Sequence, residues 1–186
     1  MISTADFKNG LTIELDGQVY CILEFQHVKP GKGGAFVRTR LRNVRTGNVF
    51  EKTFRAGAKL EAAHVQRRKM QFLYRSDDEY YFMDMQSFDQ LELTSEQMGE
   101  ARLYLKENED VDIAQHEGEV IGVELPVAVV RTVAQTDPGI RGDTAQGGSK
   151  PAVIESGATV QVPLFINIGD SIKVDTRSGE YLERVS

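Results

Sequence analysis

Short runs in which apolar and polar residues alternate, each closed by a turn signal, recur along most of the chain. A strand buries one face by placing apolar side chains at every second position, so this rhythm calls for small curled sheets rather than helical layers. The clearest case is "LTIELDGQVYCILEF" at residues 11–25, two strands joined across Asp16-Gly17, a dipeptide suited to a two-residue hairpin. "AFVRTRLRNVRTGNVFEKTF" at 35–54 repeats the device with "RTGN" as its turn. With "STADFKNG" as one helical turn, capped by Ser3 or Thr4 and ended by Gly10, and "RAGAKLEAAHVQRRK" following, residues 1–64 read as an SH3-like barrel.

A second unit is expected over residues 65–126. "KMQFLYRSDDEYYFMDMQSFDQLEL" predicts a hairpin about Ser76-Asp77-Asp78 and a further short strand. "TSEQMGEARLYL" predicts the chain's one longer helix, capped by Thr94 or Ser95, with Met98, Leu103 and Leu105 facing inward. "VDIAQHEGEVIGVELP" supplies two more strands, and strands with one interposed helix suit an OB-type barrel. Residues 127–186 repeat the pattern through "VAVVRTV", "PAVIES", "TVQVPLFINI", "SIKVDT" and "EYLERV", so the second and third units read as a weak internal duplication. The fold class is therefore mainly β, three small barrels in series. The long glycine-rich loop "AQTDPGIRGDTAQGGSKP" within the last unit points to function rather than to a tether.

The net charge of −6 conceals an asymmetry. Residues 1–69 carry 13 Lys and Arg against 6 Asp and Glu, while the remainder carries 9 against 22. A basic first third on an acidic body predicts polyanion contact at one end only. Neither an apolar run of membrane-spanning length nor a basic-then-apolar leader is present, and Cys21 is unpaired, so a cytoplasmic, reducing setting is expected. His27, His64 and His116 show no HxxxH spacing and have no cysteine partner, which argues against a metal site. The carboxylates scatter over surface, no catalytic set emerges, and no cofactor is expected. "PGKGG" lacks the spacing of a phosphate-binding P-loop, and "RGD" at 141–143 has no adhesive use in a cytosolic chain.

One cation is set apart. Lys32 lies in "HVKPGKGGAFVRTR", approached by Pro30 and flanked by Gly31, Gly33 and Gly34, which remove bulk around it. On the strand that follows, a period of two puts Arg38, Arg40 and Arg42 on one side and Val37, Thr39 and Leu41 on the other.

The motifs "KPGKGGAFVR", "EKTFRAG", "DPGIRGDTAQGG" and "KPAVIESGATVQVPLFINIGDSIKVDTRSGEY" resemble bacterial elongation factor P along the whole chain. The resemblance implies an L-shaped, three-domain translation factor that binds the ribosome between its P and E sites, touches both subunits and relieves stalls at consecutive prolines. It implies that Lys32 is the functional tip, extended by a lysine-modifying enzyme and laid along the CCA end of the P-site peptidyl-tRNA. Lys29, Arg38, Arg40 and Arg42 would then meet tRNA or ribosomal RNA phosphate. Gly142, Asp143 and Thr144 would approach mRNA at the E-site codon, and Tyr181 and Arg184 the small subunit. Such a factor is not an enzyme, has no membrane partner and is expected to be a monomer. The competing reading is a free-standing OB-type binder of single-stranded RNA, which needs aromatic platforms in basic grooves. The aromatics of "QFLYRSDDEYYF" lie among acidic residues instead.

Overall fold

The computed structural model describes residues 1–139 and 148–186. Six strands precede residue 65: β1 (Ile2–Ser3), β2 (Thr12–Leu15), β3 (Gln18–Val28), β4 (Phe36–Asn43), β5 (Val49–Arg55) and β6 (Lys59–Ala62). They form one sheet in the order β1-β6-β2-β3-β4-β5. The turn at Asp16-Gly17 has positive φ at both residues, 51° and 75°, the mirror-image geometry that matches strand twist. Leu15 therefore pairs with Gln18 and Ile13 with Tyr20. The two short strands β1 and β6 go beyond the four expected here. A two-residue strand is too brief to show alternation, and β6 owes its state to pairing with β2 and β1.

The helical turn is confined to Thr4–Asp6, where Ser3 and Asp6 form a reciprocal capping box, and it stops at Phe7, well short of Gly10. Phe7 then turns inward onto Phe54 and Phe25, edge to face at 5.7 and 6.3 Å. With Ile13, Ile22, Val37 and Leu41 these residues fill the core of the sheet. Each such side chain taken fully out of water contributes about 1.5–3 kcal/mol.

Strands β7 (Gln66–Ser76), β8 (Glu79–Asp84), β9 (Gln90–Thr94), β10 (Asp110–His116) and β11 (Glu119–Glu124) make a second sheet, ordered β11-β10-β7-β8-β9. Strands β12 (Ala128–Thr136), β13 (Ser149–Ile154), β14 (Thr159–Pro163), β15 (Ser171–Asp175) and β16 (Tyr181–Val185) make a third, ordered β14-β13-β12-β15-β16. Numbered within each sheet, the second order reads fifth, fourth, first, second, third, and the third reads the same when taken from its β16 edge. The duplication read from the strand pattern is thus present in topology.

Two expectations are corrected. The longer helix at 94–105 is a single α-turn, Ser95–Met98, followed by a 3-10 stretch, Gly99–Leu103. Gly99, at φ 55° and ψ −141°, takes a backbone conformation outside the helix and ends it. Met98 and Leu105 are nonetheless buried, as the pattern required. The strand expected over 159–168 stops at Pro163, which cannot donate to a ladder. Beyond it Ile166 is buried while Phe165 and Ile168 are exposed.

The chain forms two compact units: Met1–Arg68 with Ala114–Gly122, and Lys69–Ile113 with Val123–Ser186. In the second unit Tyr104 belongs to the core built by Val129, Val133, Ile154, Val162 and Ile172. Beside it Arg131, 2% exposed, donates to the Tyr104 carbonyl through Nε and Nη2 at 3.1 and 2.6 Å. The same guanidinium grips both oxygens of Glu109 at 3.0 and 2.5 Å. A charge taken this far from water is tolerable because nearly every donor is engaged.

Candidate nucleic-acid interface

Strands β3 and β4 separate after the Val28–Phe36 pair, and residues 29–35 bridge them as an exposed loop. Its far end is tied by the Ala56 amide donating to the Ala35 carbonyl at 3.0 Å. Gly33 has φ 108°, a value that side-chain-bearing residues seldom adopt, and a Cβ there would come within 3.9 Å of the Pro30 ring. Lys29, Pro30, Gly31, Lys32, Gly33 and Gly34 are all exposed. Lys32 has no ion pair or hydrogen bond among the described residues.

Along β4, Val37, Thr39 and Leu41 are buried while Arg38, Arg40 and Arg42 are exposed, which is the division that the period of two predicts. The row is less uniformly basic than its own strand suggests. Arg40 stands opposite Glu24 on β3 and Glu51 on β5, and its guanidinium lies 3.8 Å from the Glu24 carboxylate. Arg38 faces Gln26 and Thr53, and Arg42 faces Cys21 and Val49, neutral neighbours in each case. A bulge at Leu23 brings Glu24 into register with Arg40. Arg38 and Arg42 are the freer cations of the row. Reading β4 alone could not show this, because the carboxylates come from the strands beside it.

In the second unit Tyr181 is half-buried and Arg184 exposed on β16. The Arg184 guanidinium lies 5.4 Å from the ring centre of Phe165, which is 56% exposed. Phe165, Asn167 and Tyr181 line an open cleft of about 1320 Å³. Sequence reading missed Phe165 by placing it on a strand; the signal available was Pro163 two residues earlier. Gly142, Asp143 and Thr144, with Arg141, lie outside the described residues. Among the described residues no group of three or more His, Cys, Asp or Glu is placed to hold a metal, and no helix is long and apolar enough to cross a membrane.

Three family models match, one after another: the elongation factor P KOW-like domain over residues 3–60, its OB domain over 65–123 and its C-terminal domain over 129–184. An elongation factor P of Natranaerobius thermophilus is 60% identical over 185 residues, covering 100% of this chain and 98% of that protein. The chain belongs to the elongation factor P family. It is accordingly a translation elongation factor of mainly β fold. The elongation factor P of Moorella thermoacetica is 59% identical, with 99% of this chain and 100% of that one aligned. That of Gloeobacter violaceus is 60% identical over 99% of each. Among solved structures, a eukaryotic translation initiation factor 5A from Methanococcus jannaschii superposes with a TM-score of 0.55 at 26% identity, over 66% of this chain and 92% of that one. A factor 5A family protein from Naegleria fowleri shares the fold with a TM-score of 0.52 at 16% identity.

Proposed function

We propose that this member of the family binds the ribosome between the P and E sites and promotes peptide-bond formation at consecutive prolines, with Lys32 as its working tip. The observation that carries this reading is the exposed Lys32, unpaired among the described residues, on a Pro- and Gly-framed loop with a strand of exposed arginines leading away from it. Proline has a secondary amine and a fixed φ, which make it a poorly placed acceptor. An arm from Lys32 along the CCA end of the peptidyl-tRNA would hold the ester in reactive geometry. The factor would act by positioning, with no catalytic residue or cofactor of its own, while the ribosome supplies the chemistry.

Arg38 and Arg42, with Lys29 and Arg40 in support, contact tRNA or ribosomal RNA phosphate. Tyr181 and Arg184 face the small subunit, and Gly142, Asp143 and Thr144 approach the mRNA in the E site. The working division is 1–64, 65–126 and 127–186; the protein acts as a cytoplasmic monomer and is the substrate of an enzyme that extends Lys32. The single-stranded RNA reading finds an aromatic pair in Tyr74 and Tyr81, but the carboxylates of Glu79 and Glu92 beside it would repel phosphate.

Replacing Lys32 by alanine tests the proposal in reconstituted translation of a message with consecutive prolines. The variant should keep the circular dichroism and melting temperature of the parent, since an exposed loop tip adds little stability, and should lose stall relief. Full relief by the variant would overturn the role given to Lys32.

A further inference from the structure

In an OB barrel the outer face of the second and third strands is the usual ligand surface. Here that face belongs to β8 and β9, extended by β7. Tyr74 on β7 pairs with Tyr81 on β8, and Tyr81 pairs with Glu92 on β9. The two tyrosine rings stack at 4.6 Å with 16° between their planes. Tyr74 is 47% exposed, so the pair presents an aromatic surface to solvent. Glu79 flanks it, accepting a hydrogen bond from the Tyr81 hydroxyl at 2.8 Å. Glu79 is opposite Thr94, one diagonal step from Glu92 on the same face. The two carboxyls are close enough that a hydrogen bond to Glu79 lifts the Glu92 carboxyl above its ordinary range.

This surface keeps the stacking platform of an oligonucleotide-binding barrel and inverts its charge. Neither carboxylate has a cationic partner among the described residues. Arg75, the arginine next to Tyr74, is turned away, donating to the Asp77 carbonyl and lying over the buried Tyr80 ring. Two like charges beside an open ring face are complementary to a planar cation, which can stack on the ring and donate hydrogen bonds to the carboxylates at its edge.

We propose that the outer face of β7, β8 and β9 is a docking surface for an arginine-bearing protein segment, with Tyr74 and Tyr81 as the stacking platform and Glu79 and Glu92 as the carboxylate rim. Arginine is preferred to lysine because a guanidinium is planar, less strongly hydrated and able to bridge both carboxylates. The inference does not rest on the role of Lys32, and binding is tested without a ribosome.

The full chain, isotopically labelled, is titrated with an acetylated, amidated pentapeptide of glycine bearing arginine at its second and fourth positions. Its lysine counterpart and a short oligouridylate are the comparison probes. The arginine peptide should shift the amides of Tyr74, Glu79, Tyr81 and Glu92 most, and bind more tightly than the lysine peptide. Tyr74→Leu should weaken it by about threefold, a factor typical of one exposed cation–π contact. Glu79→Gln with Glu92→Gln should abolish the preference for arginine, with folding checked by circular dichroism. Equal binding of the two peptides with shifts spread over the acidic surface would overturn the proposal, as would stronger binding of the oligouridylate at this face. Undiminished affinity for the arginine peptide in a folded Tyr74→Leu variant would overturn the platform.

Discussion

Arg40, the middle cation of its strand, is flanked across the sheet by Glu24 and Glu51, whereas Arg38 and Arg42 have neutral neighbours. An exposed pair such as Arg40–Glu24 adds little stability, but it reduces the attraction that Arg40 offers to a phosphate. Reversing Arg38 and Arg42 together to glutamate should therefore weaken ribosome association more than Arg40→Glu does. The difference should shrink as salt is raised, and co-sedimentation across a salt series measures it. A second expectation at this scale concerns Tyr81, whose hydroxyl is pushed up to about 12, first by its hydrogen bond to Glu79 and further by desolvation and the nearby carboxylates. The raised value favours the neutral phenol in the folded state. Its contribution to stability is thus present below the ordinary tyrosine range near 10 and lost as pH rises through about 12. Glu79→Gln should return the Tyr81 titration toward 10, as followed by ultraviolet absorbance.

Hairpins were the most legible elements, since a turn is decided by adjacent residues. Asp16-Gly17, Asp77 and Glu117-Gly118 all take positive φ where the chain reverses. The loop around Lys32 was readable for the same reason: proline and glycine state their backbone preferences without help from tertiary contacts. What escaped the sequence depends on distant partners. The capping box at Thr94 and the apolar spacing after it both favour a helix, yet Gly99 adopts a backbone conformation that divides the segment. Replacing Gly99 by alanine would force a side chain into that conformation, at a cost of about 1–3 kcal/mol. Chemical denaturation of the variant should show a lower midpoint with an unchanged slope. The carboxylates beside Arg40 and the exposed Phe165 were hidden in the same way, the first by neighbouring strands and the second by the end of β14.

At the scale of the whole molecule, nothing in "VAVVRTV" marks Arg131 as almost wholly buried. It joins the segment matched as the OB domain to the segment matched as the C-terminal domain, through the Tyr104 carbonyl and Glu109. Arg131→Ala would leave that carbonyl and that carboxylate without their donor. A loss of about 3–5 kcal/mol is expected, read as a drop in the melting temperature of the second unit. Glu155 supports the same region. Burial works against its carboxylate, but the Thr132 amide, Lys106 and Arg131 together hold it below the usual carboxylate range. Its stabilisation is present above the ordinary glutamate range near 4.3 and is lost as pH falls through the depressed value. Glu155→Gln should flatten the acid limb of the stability profile.

Each compact unit is discontinuous in the chain, and this gives the protein a schedule. The first unit takes in Ala114–Gly122 as well as Met1–Arg68, so it is incomplete until Gly122 has been made. At a bacterial pace of 5–20 residues per second, the wait after Arg68 is roughly 3–11 s. Tyr104 waits as well, because the residues that enclose it run from Val129 to Val174. Between the making of Tyr104 and of Gly122 the nascent chain therefore carries an unhoused aromatic ring and an unfinished barrel at once; the barrel is settled first, and the ring only as the last strands emerge.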